Sequence, residues 1–190
     1  MTGLLFEGLE SALLPCSLIL IMPGLGVAGA SHQRFTGALL AYATSVGIAS
    51  WLRFSGYLDT LPTLVIAALL AAAVVSFLLR PSQPAAIAGG VLSGSATASL
   101  WAPCVGSDFG NLLGDLSSRG GTGLVLFLVY VIGVLSPLAI LGAGLTLTPR
   151  SERVRKLLAG VGRGLLALLA IATAVGWHDE LVSQLVQMST

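Results

Sequence analysis

Residues 61–79 read LPTLVIAALLAAAVVSFLL, a run with no charge and with hydroxyls only at Thr63 and Ser76. A run of this kind approaches the ~20 apolar residues that cross a hydrocarbon core of about 30 Å. It is not alone. Uncharged runs also cover Ser11–Ser31, Phe35–Leu52, Pro81–Ser107 and Gly120–Pro149. A sixth, Gly164–Trp177, reaches helical length only if it extends back past Arg163 to about Leu157. None of them alternates apolar and polar residues with period two, so helices are expected and barrel strands are not. Across all 190 residues, 55% are hydrophobic and 9% charged, with a mean hydropathy of +0.95. A soluble domain carries about a quarter charged residues. The composition therefore argues against a soluble globular enzyme and a disordered chain. A net charge of +1 leaves no footprint for nucleic acid. The expectation is one all-α integral membrane domain, 1–190, of six transmembrane helices.

Charge placement predicts an orientation. If the N-terminus lies on one side, that side holds Arg53 and Arg119, and the other holds Arg34, Arg80, Arg150, Arg153, Arg155 and Lys156. The richer side is cytoplasmic by the positive-inside rule, which puts both termini outside. Arg163 is expected to snorkel from the cytoplasmic end of the sixth helix. Glu7 and Glu10 stand where a cleavable signal would carry positive charge, so no such signal is expected there.

The chain also repeats itself. A shift of 88 positions (104 minus 16) lays Pro103-Cys104 on Pro15-Cys16, and pairs Ser11 with Ser99, Leu40 with Leu128 and Tyr42 with Tyr130. With only two cysteines and three tyrosines in the sequence, matching of these rare types carries weight. The halves divide at Arg80-Pro81-Ser82-Gln83-Pro84, giving a first three-helix repeat over 1–80 and a second over 85–177. An odd number of helices per repeat requires the second to be inverted, and inverted repeats bring equivalent positions near a shared pseudo-two-fold axis. Cys16 and Cys104 could then meet, provided their Cα atoms approach within about 4.4–6.8 Å.

A buried cysteine is ordinarily a small hydrophobe. Here two, each after a proline, hold equivalent places. No C-x-x-C motif is present, and two thiols alone make a poor zinc site. A redox pair fits better than a staple or a metal site. The backbone beside them is irregular in composition: Met22-Pro23-Gly24-Leu25-Gly26 follows Pro15-Cys16, and Trp101-Ala102-Pro103-Cys104-Val105-Gly106-Ser107-Asp108 surrounds the second cysteine. Proline removes a donor, and glycine opens backbone conformations closed to other residues. Pro23, Gly24, Gly26 and Gly106 are therefore the expected hinges for alternating access. Asp108, four residues after Cys104, could tune the thiol if the helix continues.

These motifs resemble the CcdA family and the transmembrane domain of DsbD. Pro15-Cys16 with the later Pro23-Gly24, and Trp101-x-Pro103-Cys104-x-Gly106, are similar to the family pattern across essentially the whole chain. The proline often found soon after the first cysteine is absent, and Ser107-Asp108 stands where another proline might be. The resemblance implies a thiol–disulfide oxidoreductase of the bacterial plasma (inner) membrane, multi-pass and surrounded by membrane lipid. Cys16 and Cys104 match its catalytic pair, and Pro15 and Pro103 the flanking prolines. It would take electrons from cytoplasmic thioredoxin and pass them to an extracytoplasmic thioredoxin-like acceptor serving cytochrome c maturation. Thioredoxin's potential of about −270 mV makes such transfer downhill to more oxidising couples. No cofactor and no metal is implied. A small-solute or soft-metal-ion transporter built on inverted repeats is the competing class.

Overall fold

The computed structural model describes residues 6, 8–10, 12, 18–31, 35–57, 61–79, 82–101, 116–147 and 152–177. Every regular element among them is a helix: α1 Leu18–Ser31, α2 Phe35–Phe54, α3 Thr63–Leu79, α4 Gln83–Leu100, α5 Leu116–Leu147 and α6 Glu152–Val175. Each uncharged run thus contains, or largely overlaps, one helix.

The helix ends follow local chemistry. Ser82 is extended (φ −105°, ψ 153°), and its hydroxyl accepts from the Ala85 N–H at 3.4 Å, capping α4. Pro84 falls in the first turn, where a missing N–H costs no helical bond. At the end of α2, Gly56 has φ +76°, its N–H donates to Arg53 O at 3.1 Å, and the Tyr57 N–H donates to Leu52 O at 2.9 Å. That paired reversal is a Schellman closure, and it needs a residue without a Cβ penalty.

Packing centres on α1 and α4. Helix α4 packs on α2, α3 and α1, while α1 also packs on α2, α5 and α6, and α3 on α6. The α2–α4 contact is the closest in kind. Gly90 and Gly94, one turn apart, both meet the backbone of α2. A Cβ at Gly94 would sit 2.6 Å from Tyr42 O and against the Ser45 hydroxyl, and one at Gly90 would strike Ala38 O. Positions rise together on the two helices, from Ala38 beside Gly90 to Arg53 beside Ala98, so α2 and α4 run parallel. Small residues at this spacing let two backbones touch. The largest core cluster joins Leu20 and Val27 of α1, Tyr42 and Val46 of α2, Trp101, Phe127, Tyr130 and Val134, and Leu166 of α6. A smaller one joins Ile66 and Leu70 of α3 with Ala96 and Ala170.

The six-span expectation is corrected here. Among the described residues no helix is long and apolar enough to cross a membrane. Helices α1 and α3 have 14 and 17 residues, about 21 and 26 Å at 1.5 Å per residue. Helix α2 carries Tyr42, Thr44, Ser45, Ser50 and Arg53, and α4 carries Gln83 together with Ser93, Ser95, Thr97 and Ser99. Helix α6 starts at Glu152, so Arg153, Arg155 and Lys156 belong to the helix and not to a topology-setting loop. Absence of charge alone does not make a span: α1 and α3 are short, and α2 and α4 carry polar side chains along their length. The inverted six-span topology with outward termini falls with that finding.

The α2–α4 contact gives a stability prediction. Gly94→Ala should destabilise by about 1–3 kcal/mol, because the new methyl meets a carbonyl oxygen that cannot swing away. Gly164→Ala, where a Cβ meets nothing within 4 Å, should be neutral or stabilise by about 0.5–1 kcal/mol. Denaturant unfolding followed by circular dichroism separates the two; equal effects would contradict the packing described.

Candidate functional site

Pro15, Cys16, Pro103, Cys104, Gly106 and Asp108 lie outside the described residues. Pro23, Gly24 and Gly26 lie inside α1, all three buried. Gly26 faces α6: a Cβ there would sit 2.7 Å from Leu166 Cγ and 3.2 Å from Gly162 O. The structure therefore gives the frame from which both Pro-Cys segments leave, and that frame is specific.

Leu18, the first residue of α1, follows Cys16 by two positions, and Trp101, the cap of α4, precedes Cys104 by three. Tyr42 of α2 joins these two helix ends. Its buried hydroxyl donates to Leu20 O at 2.6 Å. The same oxygen is within hydrogen-bonding reach of the Thr97 hydroxyl and the Gly24 N–H. Thr97 in turn donates to Ser93 O at 2.7 Å. Burial pushes the Tyr42 phenol well above the ordinary tyrosine range, partly offset by Thr97 and Gly24, so it stays protonated and keeps donating.

The chain before Cys16 is anchored in the same place. A Cβ on Gly8 would lie 2.5 Å from Tyr130 O and 3.2 Å from Val134 N, which shows how tightly this stretch lies on α5. Ala12, Leu20 and Trp101 are all buried in one cluster with Tyr130. Trp101 is its centre, 1% exposed. Its ring stacks on Tyr130 at 6.3 Å and 24°, and meets Phe127 and Phe54 edge-on at 6.3 and 6.5 Å. Offset-stacked and edge-on pairs of this kind add about 0.5–1.5 kcal/mol each beyond burial. The indole nitrogen of Trp101 is buried without a hydrogen-bond partner.

Arg53 closes the end of α4. One guanidinium nitrogen donates to Ala98 O at 3.0 Å, Ser99 O at 3.1 Å and Trp101 O at 3.0 Å. The last carbonyls of a helix are orphaned and carry partial negative charge, so a cation is the fitting cap. Burial lowers the arginine's pKa from its ordinary value, yet a guanidinium remains charged. Trp101, extended at φ −76° and ψ 126°, is thus held by ring and carbonyl just before Pro103-Cys104.

Among the described residues no group of three His, Cys, Asp or Glu is placed to hold a metal ion. What the arrangement offers is a buried, hydrogen-bonded base at the start of α1 and the end of α4. Sequence reasoning missed three of its parts. Tyr42 entered only as a partner of Tyr130 in the repeat, Arg53 only as an orientation charge, and Trp101 only as a motif letter. The signal available was Arg53 ending an otherwise uncharged run, since a charge there needs acceptors. No family model, curated protein or solved structure matches the chain.

The Tyr42 bridge yields a pH-dependent prediction. Tyr42→Phe should cost about 1 kcal/mol at neutral pH. The phenol's folded pKa is raised, so its contribution is complete below the unfolded value of about 10 and is lost as pH rises above it. The stability gap between wild type and Tyr42→Phe should therefore narrow above pH ~10. Denaturant titrations across that range test this; a gap that stays constant or widens contradicts the buried-donor assignment.

Proposed function

We propose that the protein is a thiol–disulfide oxidoreductase whose working groups are Cys16 and Cys104. The observation that carries this reading is the juxtaposition of the two helix ends that lead to the cysteines, joined by Tyr42 and sharing the Trp101 cluster.

The chemistry is a dithiol exchange. A thiolate of reduced thioredoxin attacks one sulfur of a Cys16–Cys104 disulfide, breaking that bond and forming a mixed disulfide. The second thioredoxin thiol displaces the protein's sulfur, leaving thioredoxin oxidised and Cys16 and Cys104 reduced, with two electrons and two protons transferred. The reduced pair then repeats the reaction on the disulfide of a thioredoxin-like acceptor. Thiolate character and access set the rate of each step. The resemblance to the CcdA family supports cytoplasmic thioredoxin as donor and an extracytoplasmic thioredoxin-like protein as acceptor. Flanking prolines at 15 and 103 limit backbone choices beside each thiol.

Membrane lipid is part of the proposal as a contact surface. Leu40, Leu64, Leu78, Ile132, Ile140 and Leu168 are each more than half exposed. Monomers in water rarely leave apolar patches larger than a few hundred Å² uncovered. These exposed apolar side chains support a location at the bacterial plasma membrane.

The expected result of trapping is direct. A thioredoxin lacking its resolving cysteine should form a gel-shifted adduct with the wild-type chain, reversible by dithiothreitol, and none with Cys16→Ser/Cys104→Ser. Maleimide should label no thiol in the oxidised protein and both after reduction. Two freely labelled thiols in folded, oxidised protein, or an adduct that survives in the double variant, would sink the proposal.

A further inference from the structure

A groove of about 500 Å³ lies between α2 and α4, with Leu61 beside it. Its size falls within the ~300–1,000 Å³ of small-molecule sites. Ile48, Leu61 and Val91 give it an exposed apolar wall, and Arg53 and Ser99 give it one polar end. Three of the hydroxyls there are committed as donors: Thr44 to Leu40 O at 2.8 Å, Ser45 to Tyr42 O at 2.9 Å and Ser99 to Ser95 O at 3.3 Å. Arg53 differs. Its hydrogen bonds to the end of α4 all leave from one nitrogen, and that fixes the guanidinium in place. Arg53 itself lines the groove, and among the described residues no acceptor is bonded to its other two nitrogens. No carboxylate pairs with Arg53 among the described residues.

A fixed, half-buried cation at one end of an apolar trough is complementary to one kind of molecule. We infer that the α2–α4 groove binds a single-chain anionic amphiphile, its carboxylate paired with Arg53 and its hydrocarbon chain laid along Ile48, Leu61 and Val91. A carboxylate accepts two parallel N–H bonds from the guanidinium nitrogens left open, a geometry that a neutral headgroup cannot match. The wall beyond Arg53 has no second cation, which fits one headgroup and one chain. The inference stands apart from the thiol chemistry, because no cysteine lines the groove.

The test is binding of radiolabelled palmitate to the purified full chain in non-ionic detergent, with unlabelled competitors. Palmitate should displace the label about fivefold better than hexadecanol, the increment expected for one partly screened ion pair. Inorganic phosphate alone should not displace it. Val91→Trp, which fills the groove at an exposed position, should abolish binding with its circular dichroism spectrum unchanged. Arg53→Gln should erase the preference for palmitate over hexadecanol. If Arg53→Gln fails to fold because α4 loses its cap, the competitor ratio and Val91→Trp decide alone. Equal displacement by hexadecanol, displacement by free phosphate, or undiminished binding by Val91→Trp would each overturn the inference.

Discussion

The hydrogen bond from Tyr42 to Leu20 O, 2.6 Å long and fully buried, is the constraint on which the arrangement rests. It joins α1 to α2, and through Thr97 it reaches α4. Removing the phenol from water would cost several kcal/mol without partners. With a carbonyl, a hydroxyl and an amide facing it, that cost is met only when all three helices are in register. Gly94 makes the register possible, since only a residue without a side chain lets α4 lie against Tyr42 O. Geometry and satisfaction of polar groups therefore specify the same packing.

The second layer of support is aromatic and cationic. Trp101, Tyr130 and Phe127 are buried with the half-buried Phe54 against them, and Arg53 lies 5.3 Å from the Phe54 ring while capping α4. The end of α4 is thus restrained by side-chain packing on one side and charge-assisted bonds on the other. For thiol exchange this matters because a disulfide demands narrow geometry from its two backbones. Segments that leave from a rigid, shared base need less ordering to achieve it. In the proposed function the frame supplies position, and the sulfur atoms supply the chemistry.

The helices were legible in the sequence to a useful degree. Phe35–Leu52 became Phe35–Phe54, and Leu61–Leu79 became Thr63–Leu79, because an apolar run bounded by Pro62 and Arg80 leaves few alternatives. The spans were not. Lack of charge does not count hydroxyls, and the Ser93–Ser99 segment of α4 turns its hydroxyls back onto its own carbonyls, which suits a helix without making it apolar. The basic run ending at Lys156 belongs to α6 from Glu152 onward, because charge on a helix's first turns does not mark its boundary. Of the candidate site, Pro23, Gly24 and Gly26 can be placed, and Gly26 proves to lie flush against Leu166. The bridging role of Tyr42 was invisible in one dimension, since its partners are 22 and 55 residues away along the chain (42 minus 20, and 97 minus 42). Arg53 shows the same thing, with acceptors in α4 rather than on its own helix.

The central claim is that this frame serves one intramolecular pair. Peptide mapping of the purified, non-reduced full chain by mass spectrometry tests it most directly. The account predicts a fragment in which the peptide bearing Cys16 is joined to the peptide bearing Cys104, present at every protein concentration and lost on reduction. Cysteines found free in the oxidised protein, or joined only between two chains in proportion to concentration, would contradict it.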